Sequence, residues 1–222
     1  MALRTLIIGG VAGGSTTAAR LRRRDESMDI VIFEKGDYIS YANCGLPYYI
    51  GDVITDRDQL LLQSPELMKN RYNIDVRCGH EVTKILPEER AILVKNLKTG
   101  EETREAFDDL VIATGSTPIR PNLEGADMDG IFTLWNLPDT DRIYEYMKNT
   151  SPKSAVVIGG GFIGLEMAEN LKHKGLNVTI VEKQKQLMTP LDEDMARLVY
   201  NNIMDNGTKV LLEDGVTGFK KN

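Results

Sequence analysis

The sequence predicts an α/β fold built around two Rossmann-like βαβ units, each of which opens on a glycine-rich turn. The first turn spans Leu6–Gly14 and the second spans Val156–Gly164, and both follow a short apolar run and precede a helix-like run. In such units, glycine permits the tight strand-to-helix turn and lets the backbone approach a pyrophosphate. Two such turns in one chain predict two dinucleotide sites, an arrangement typical of proteins that pass electrons between nucleotides.

Hydrophobic periodicity and capping residues place the elements in order along the chain. A helix should begin at Ser64-Pro65, because serine caps a helix and proline suits its first position. The predicted strands lie at residues 3–8, 30–33, 80–86, 91–97, 109–113, 154–158, 177–181 and 208–212. The other predicted helices lie at residues 13–24, 162–174 and 192–206.

This order of elements divides the chain into three segments. Residues 1–115 should form the N-terminal part of a first nucleotide-binding domain, 116–150 a connector, and 151–222 a second nucleotide-binding domain. The second domain has only about half of the strands that such a domain usually needs. We therefore expect the chain to be truncated, with the C-terminal part of the complete protein missing.

Composition and charge exclude several classes of protein. The chain has 222 residues, of which 41% are hydrophobic, and a formal net charge of −6. This acidic balance disfavours a nucleic-acid partner, because phosphate binding needs a basic surface. No apolar run approaches the length needed to cross a bilayer, and the N-terminus shows no signal-peptide pattern. We expect a cytoplasmic protein with no membrane partner.

The few cysteines and histidines predict neither a structural disulfide nor a metal site. They are Cys44, Cys78, His80 and His173, and they lack the paired spacing of metal ligands. Two thiols in a chain without an export signal are more often reduced or catalytic than joined in a structural bridge. Both histidines are interpreted as ordinary surface or packing residues.

The second glycine turn has the full dinucleotide pattern. Its glycines occupy the expected places within Gly159–Gly164, and Glu182 ends the return strand about 20 residues later, where an acid should bind the adenosine ribose. An acid at this place favours the free 2′-hydroxyl of NAD over the 2′-phosphate of NADP. Lys183 and Lys185 lie nearby and weaken that preference.

The first glycine turn departs from the pattern at one place. Gly9 and Gly14 hold the first and third glycine positions, but Val11 occupies the second. Glu34 then ends the return strand at the expected distance and supplies the ribose acid. The sequence therefore predicts a dinucleotide site here as well.

Cys44 is predicted to be a reactive thiol. It follows Asn43 and precedes Gly45 and Pro47, so its surroundings are typical of a turn and not of an apolar core. A redox cysteine acts as a thiolate and needs access to its substrate. Cys78 lies at the end of a strand-like run and is interpreted as structural.

Together, these motifs resemble the FAD-dependent pyridine nucleotide–disulfide oxidoreductases. The resemblance rests on Gly-Gly-Val-Ala-Gly-Gly, Phe-Glu-Lys, Ser-Tyr-Ala-Asn-Cys-Gly-Leu-Pro-Tyr-Tyr and Leu-Val-Ile-Ala-Thr-Gly-Ser, which occur in the family's order. Within the family, the chain is most similar to the single-cysteine branch of coenzyme A disulfide reductases, NADH oxidases and NADH peroxidases. The two-cysteine branch differs, because its Cys-x-x-x-x-Cys pair is absent here.

The resemblance implies FAD at the first turn and NAD(P)H at the second. The implied FAD contacts are Gly9, Ala12, Gly13, Glu34, Lys35, Val82, Ala113, Thr114 and Gly115. The implied NAD(P)H contacts are Gly159, Gly161, Phe162, Ile163, Gly164, Glu166 and Glu182. Residues matching the coenzyme A contacts of the reductases are Thr16, Arg20, Arg23, Ser40 and Asn43. Arg20 and Arg23 are three apart and share a helix face, which suits the phosphates of coenzyme A. A solvated basic face is the alternative, because Arg22 and Arg24 lie in the same stretch.

Ala12 discriminates between activities within the branch. The oxidases and peroxidases typically place a histidine there, so peroxide chemistry would lack its usual proton-handling group. The implied function is therefore electron transfer from NAD(P)H through FAD to a Cys44 mixed disulfide, reducing coenzyme A disulfide or a related persulfide or polysulfide. An NADH oxidase using a Cys44 sulfenic acid and a non-catalytic nucleotide-binding fragment are the alternatives. The complete protein is expected to be a homodimer.

Tyr72 is a departure from the reductases, because a lysine is often found at this place. The departure leaves part of the implied coenzyme A site open. Tyr48 and Tyr49, which follow Pro47, are interpreted as packing residues of the cysteine loop.

Overall fold

The structure is a computed structural model that describes residues 2–221. Met1, the first residue of the expected first domain, and Asn222, the last residue of the expected second domain, lie outside the described residues. The strands are β1 (Arg4–Ile8), β2 (Asp29–Glu34), β3 (Asp75–Cys78), β4 (His80–Leu86), β5 (Ala91–Asn96), β6 (Glu102–Ala106), β7 (Asp109–Ile112), β8 (Ser154–Ile158), β9 (Asn177–Val181) and β10 (Lys209–Leu211). The helices are α1 (Ala12–Arg24), α2 (Leu46–Ile50), α3 (Pro65–Tyr72), α4 (Leu137–Thr150), α5 (Phe162–His173) and α6 (Glu193–Asp205). In the part of the chain that the structure describes, every helix is too short or too polar to cross a membrane.

The chain forms two compact units. The first contains the residues up to Ala42 together with Asp58–Thr117, and the second contains Asn43–Arg57 and the residues from Pro118 onward. The expected segments were residues 1–115, 116–150 and 151–222; the first compact unit instead extends to Thr117, and the rest of the expected connector belongs to the second unit. Residues 43–57, which include Cys44, belong to the second unit.

The first unit is organised around a parallel sheet of strand order β3-β2-β1-β7. This is the order of a dinucleotide-binding half, in which the first strand lies between the second and a later one. Successive strand residues point to opposite faces, so each strand contributes to two hydrophobic layers. Ile7 and Ile32 pack with α1 and α3 on one face, whereas Leu6 and Phe33 pack with β5 of the antiparallel sheet β4-β5-β6 on the other.

The second unit contains a parallel sheet of strand order β10-β9-β8. Val178 and Ile180 of β9 are buried in one core with Leu171 of α5 and Met147 of α4. Ile50 of α2 is 0% exposed and belongs to the same core. The α/β fold with two Rossmann-like βαβ units is thus confirmed, since both β1-α1-β2 and β8-α5-β9 are parallel units.

Three elements are missed by the sequence patterns. Helix α4 lies inside the expected connector of residues 116–150, although Asn136 marks its start by accepting a hydrogen bond from the Asp139 amide. Strand β6 is polar and pairs only with β5 in the described sheet, so it shows no apolar alternation. Helix α2 is too short for periodicity to detect. Strand β3 is the strand-like run that ends at Cys78.

Arg22 is a buried cation that closes the ends of two helices. Its guanidinium donates to the carbonyl oxygens of Asp25 and Glu26 after α1, and to those of Tyr72 and Asn73 at the end of α3, over distances of 2.5–3.4 Å. The last carbonyls of a helix have no partner within the helix, and a cation there also interacts favourably with the helix dipole. Arg22 is therefore structural.

Replacing Arg22 with methionine should destabilise the protein by about 2–3 kcal/mol, because four partly buried hydrogen bonds from a charged donor are lost. The free energy of unfolding in urea measures the effect. Arg24→Ala is the matched control, since Arg24 is exposed in the same helix turn and its loss should cost less than about 0.5 kcal/mol. Equal effects of the two substitutions would contradict this role of Arg22.

Candidate functional site

The first glycine turn joins β1 to α1 in a geometry that requires glycine. Gly9 has φ +98°, in the left-handed region, and its amide donates to the Phe33 carbonyl at 2.8 Å. A Cβ at Gly14 would lie 1.7 Å from the Gly9 carbonyl oxygen. The helix can approach the strand this closely only because Gly14 has no side chain.

The carboxylate of Glu34 holds this turn from the end of β2. Its Oε2 accepts a hydrogen bond from the Gly10 amide at 2.7 Å, and its Oε1 accepts one from the Gly36 amide at 2.7 Å. An ionised carboxylate offers about four acceptor sites, so further donors can still bind. The hydroxyl groups of a ribose are such donors, and an acid at this place is expected to bind them.

The second glycine turn repeats this geometry. Gly159 has φ +105°, and a Cβ at Gly164 would lie 2.0 Å from its carbonyl oxygen. Glu182 accepts from the Gly160 amide at 2.6 Å through Oε2 and from the Gln184 amide at 2.7 Å through Oε1. The two units therefore hold their turns with the same pair of hydrogen bonds.

The repeat continues into the loop after the return strand, at residues that the sequence motifs do not include. Ser40 has φ +43° and donates its amide to the Gly10 carbonyl at 3.1 Å; Met188 has φ +50° and donates to the Gly160 carbonyl at 2.8 Å. Each follows a buried aliphatic residue that packs against the same glycine. The signal in the sequence is the spacing, because both residues lie six positions after the ribose acid.

Both turns leave space and amide donors for a pyrophosphate. Helices α1 and α5 begin without a side-chain cap from the described residues, and the free amides at a helix start attract phosphate. A Cβ at Gly161 would meet no described heavy atom within 4 Å. Val11, at the matching place of the first turn, is half-buried. The residues present thus fit a dinucleotide at each turn.

The other residues implied for the first site lie at different distances from the turn. Ala113 is beside it, since its carbonyl oxygen would be 2.2 Å from a Cβ at Gly9. Thr114 and Gly115 follow directly in the chain. Lys35 is ion-paired with Glu81 at 2.8 Å, one residue before Val82 on β4.

The residues implied for the second site begin helix α5. Phe162 and Ile163 expose 65% and 60% of their surfaces, although both are large and apolar. Glu166 is half-buried one turn later. Exposed apolar side chains beside open amides can cover the apolar parts of a bound nucleotide.

An exposed row of polar side chains runs along α1 from the first turn. Thr16, Arg20 and Arg23 are all exposed and share one helix face by their spacing. The buried Arg22 is separated from this row by its contacts with carbonyl groups. Asn43 is also exposed, but it belongs to the second unit.

Cys44 is an exposed free thiol in a single helical turn, Asn43–Gly45. The turn-like setting inferred from the sequence is present, and it leads directly into α2, whose side chains are largely buried. Tyr49 of α2 stacks on Tyr144 with ring centroids 4.7 Å apart, so it packs the loop. The exposure of Cys44 provides the access that a reactive thiol needs.

Cys78 is half-buried and differs chemically from Cys44. Burial, reinforced by the nearby carboxylates of Glu34 and Asp37, raises the pKa of its thiol to about 11. His80 Nδ1 lies 2.8 Å from the Cys78 carbonyl oxygen, and His173 Nδ1 lies 3.2 Å from the Gly51 carbonyl oxygen. These three residues therefore make structural contacts.

Comparison with known proteins identifies the family. The sequence profile of the family described as "Pyridine nucleotide-disulphide oxidoreductase" matches residues 3–222. The chain belongs to this family. A coenzyme A disulfide reductase of Staphylococcus haemolyticus (strain JCSC1435) is 35% identical over 215 residues, which are 97% of this chain and 48% of that protein. The chain spans about half the length of the curated relatives it matches.

Solved structures of the family share the fold. Reduced Bacillus anthracis CoADR-RHD aligns with a TM-score of 0.97 and 47% identity over 100% of this chain and 40% of its own. For a NAD-dependent persulfide reductase from A. fulgidus, the TM-score is 0.94 with 35% identity over 99% of this chain and 41% of its own. A water-forming NADH oxidase from Lactobacillus brevis bound to NADH aligns with a TM-score of 0.92 and 27% identity over 100% of this chain and 49% of its own.

Two alanine substitutions in the second turn should separate binding from folding in this family member. Gly161→Ala adds a methyl group in open space, so stability should be retained while NADH affinity falls at least about tenfold. Gly164→Ala forces a clash with Gly159 and should cost about 2 kcal/mol or more of stability. Urea unfolding and NADH titration measure the two effects. Unchanged NADH binding by Gly161→Ala would contradict a close approach of the pyrophosphate to the backbone at Gly161.

Iodoacetamide at pH 8 should label Cys44 and spare Cys78. With a pKa of about 11, about one in a thousand Cys78 thiols is ionised at that pH. Because the folded pKa is raised, the labelling rate of Cys78 should climb with pH until about 11. Peptide mapping by mass spectrometry measures each site. Equal labelling of both cysteines at pH 8 in the folded protein would contradict this assignment.

Proposed function

We propose that the complete protein is a flavoprotein that passes electrons from NAD(P)H through FAD to a mixed disulfide on Cys44. The observation that carries the proposal is the repeated turn geometry, in which Glu34 and Glu182 hold equivalent glycine turns. One nucleotide site would hold the electron donor, NAD(P)H, and the other would hold the electron carrier, FAD. The exposed thiol of Cys44 would form the mixed disulfide that accepts the electrons. A homodimeric assembly of the complete protein is part of the proposal.

FAD is assigned to the first turn. Gly9, Gly13 and Ala113 adjoin one another there, and α1 offers its first amides to the pyrophosphate. Glu34 would accept hydrogen bonds from the ribose. The remaining residues of the assignment are Ala12, Lys35, Val82, Thr114 and Gly115.

NAD(P)H is assigned to the second turn. Gly159, Gly161 and Gly164 admit the pyrophosphate, and Phe162 and Ile163 would cover the apolar parts of the nucleotide, with Glu166 near the nicotinamide. Glu182 repels a 2′-phosphate, and Lys185 is 3.2 Å from Glu193 in an ion pair, which lowers its availability for such a phosphate. These features support NADH over NADPH.

Coenzyme A disulfide is the proposed substrate. Arg20 and Arg23 are exposed on α1 and have no ion-pair partner among residues 2–221. Two guanidinium groups suit the phosphates of coenzyme A, and Thr16, Ser40 and Asn43 would provide polar contacts. The Staphylococcus relative is itself a coenzyme A disulfide reductase.

The chemistry requires one nucleophile from this chain. The Cys44 thiolate would attack one sulfur of coenzyme A disulfide, forming a mixed disulfide and releasing the other coenzyme A as a thiolate. When bound, FAD would accept a hydride from NAD(P)H and supply two electrons to that mixed disulfide. Cys44 then returns as a thiolate and the second coenzyme A leaves as a thiol. In sum, NAD(P)H, one proton and one disulfide give NAD(P)⁺ and two thiols.

Reduction of oxygen is the second candidate, because a water-forming NADH oxidase shares the fold at 27% identity. Ala12 counts against it, since the alanine side chain has no group that can donate or accept a proton. The persulfide reductase is more similar, at 35% identity, which supports a persulfide as a further acceptor.

The wild-type chain, pre-reduced and treated with coenzyme A disulfide, should gain one coenzyme A adduct on Cys44 and release one coenzyme A thiol. Intact mass before and after reduction measures the adduct. Cys44→Ser should abolish it, whereas the matched Cys78→Ser should retain it, because the Cys78 thiol is half-buried and its raised pKa limits the reactive thiolate. Absence of the adduct in the wild type, with NADH-dependent oxygen consumption, would favour the oxidase.

A further inference from the structure

The segment that carries Cys44 is held by the second nucleotide unit. The chain passes from the first unit to the second after Ala42 and returns to the first at Asp58. Between these points, helix α2 packs against α4 and α5 of the second unit. Ile50 is 0% exposed and shares a core with Leu171 of α5. A five-residue helix is not stable alone, so these contacts determine where α2 and the preceding Cys44 lie.

The turn after α2 rests on the end of α5. A Cβ at Gly51 would lie 2.4–2.9 Å from three side-chain atoms of Asn170, and Asn170 is only 2% exposed. His173 Nδ1 donates to the Gly51 carbonyl oxygen at 3.2 Å. Lys174 Nζ is ion-paired with Asp52 at 2.7 Å, with its side chain 21% exposed. This end of the segment has little freedom to shift.

Helix α4 holds the same segment from a second side. The Tyr144 ring stacks on Tyr49 at 4.7 Å, and Lys174 Nζ lies 4.9 Å from the centre of the Tyr144 ring. Lys174 thereby links the anion of Asp52 to the ring that covers α2. Arg57 closes the segment through two hydrogen bonds to Asp141, each 2.7 Å long.

We propose that Asn170, Lys174 and Tyr144 are positioning residues for Cys44. They hold α2 so that the thiol is presented in one orientation for attack on a disulfide. The proposal rests on the disulfide chemistry proposed above. A misplacement of about 1 Å can cost about a hundredfold in rate, so a thiol on an untethered turn would attack a large substrate slowly even while it remained exposed.

Four variants of the full 222-residue chain separate positioning from packing. Gly51→Ala crowds Asn170, and Lys174→Met keeps the aliphatic stem while removing the charge. Lys174→Arg conserves the charge. Lys148→Met is the matched control, because Lys148 is exposed on α4 away from the described contacts of the segment.

Two measurements are made on each variant. Amide hydrogen exchange in residues 44–54 reports whether the segment is held. The ratio of the rate constants of Cys44 with coenzyme A disulfide and with iodoacetamide reports positioning, because the small reagent requires only exposure. Gly51→Ala and Lys174→Met should accelerate exchange and lower the ratio at least about tenfold. Lys174→Arg should retain most of the wild-type ratio, and Lys148→Met should leave the ratio within about twofold of wild type.

Failure of the positioning role and failure of the proposed function give different results. Unchanged exchange in both disruptive variants would overturn the anchoring. The wild type must first react readily with coenzyme A disulfide. If the variants then exchange faster but keep the same ratio of rate constants, the positioning role alone is overturned. A wild type that reacts no faster with coenzyme A disulfide than with oxidised glutathione would overturn the proposed substrate, and the positioning role would fall with it.

Discussion

The hydrogen bonds between a strand-end carboxylate and its neighbouring glycine turn are the constraint on which each nucleotide unit depends. Glu34 and Glu182 each accept two hydrogen bonds from backbone amides, one in the glycine turn and one in the loop that follows the glutamate. Gly10 and Gly160 are buried, so leaving either of their amides without an acceptor would cost about 1–3 kcal/mol. The same carboxylates keep lone pairs for a ribose, so one group both supports the turn and can receive the ligand.

The repeated units are alike in the turn and differ in what surrounds it. The first adds the antiparallel sheet β4-β5-β6 against its parallel sheet, whereas the second accepts α4 and the Cys44 segment. Val11 and Gly161 show the difference at a single place, since only the second turn has an open backbone there. The two units thus share one scaffold but differ in the residues that surround the glycine turn. This difference matters because function depends on the residues of a site and not on the fold alone.

Local spacing explains what the sequence could predict. The glycines, Glu34 and Glu182 act within one βαβ unit, so their roles follow from their distances along the chain, and the parallel units were predicted correctly. The grouping of residues 43–57 with the second unit could not be predicted in this way. Gly51 reads as an ordinary turn residue, and its fit against Asn170 depends on packing between distant parts of the chain. Helix α4 was missed although Asn136 marks its start, because the flanking Pro- and Gly-containing stretch suggested a connector.

Helix α5 links the second glycine turn at one end to the anchor of the Cys44 segment at the other. It runs from Phe162 to His173, and a helix rotates by about 100° for each residue. A single inserted or deleted residue would therefore turn Asn170 and Lys174 away from Gly51 and Asp52 while leaving the glycine turn intact. Evolution can change the side chains along this helix much more freely than it can change the number of residues between its two ends.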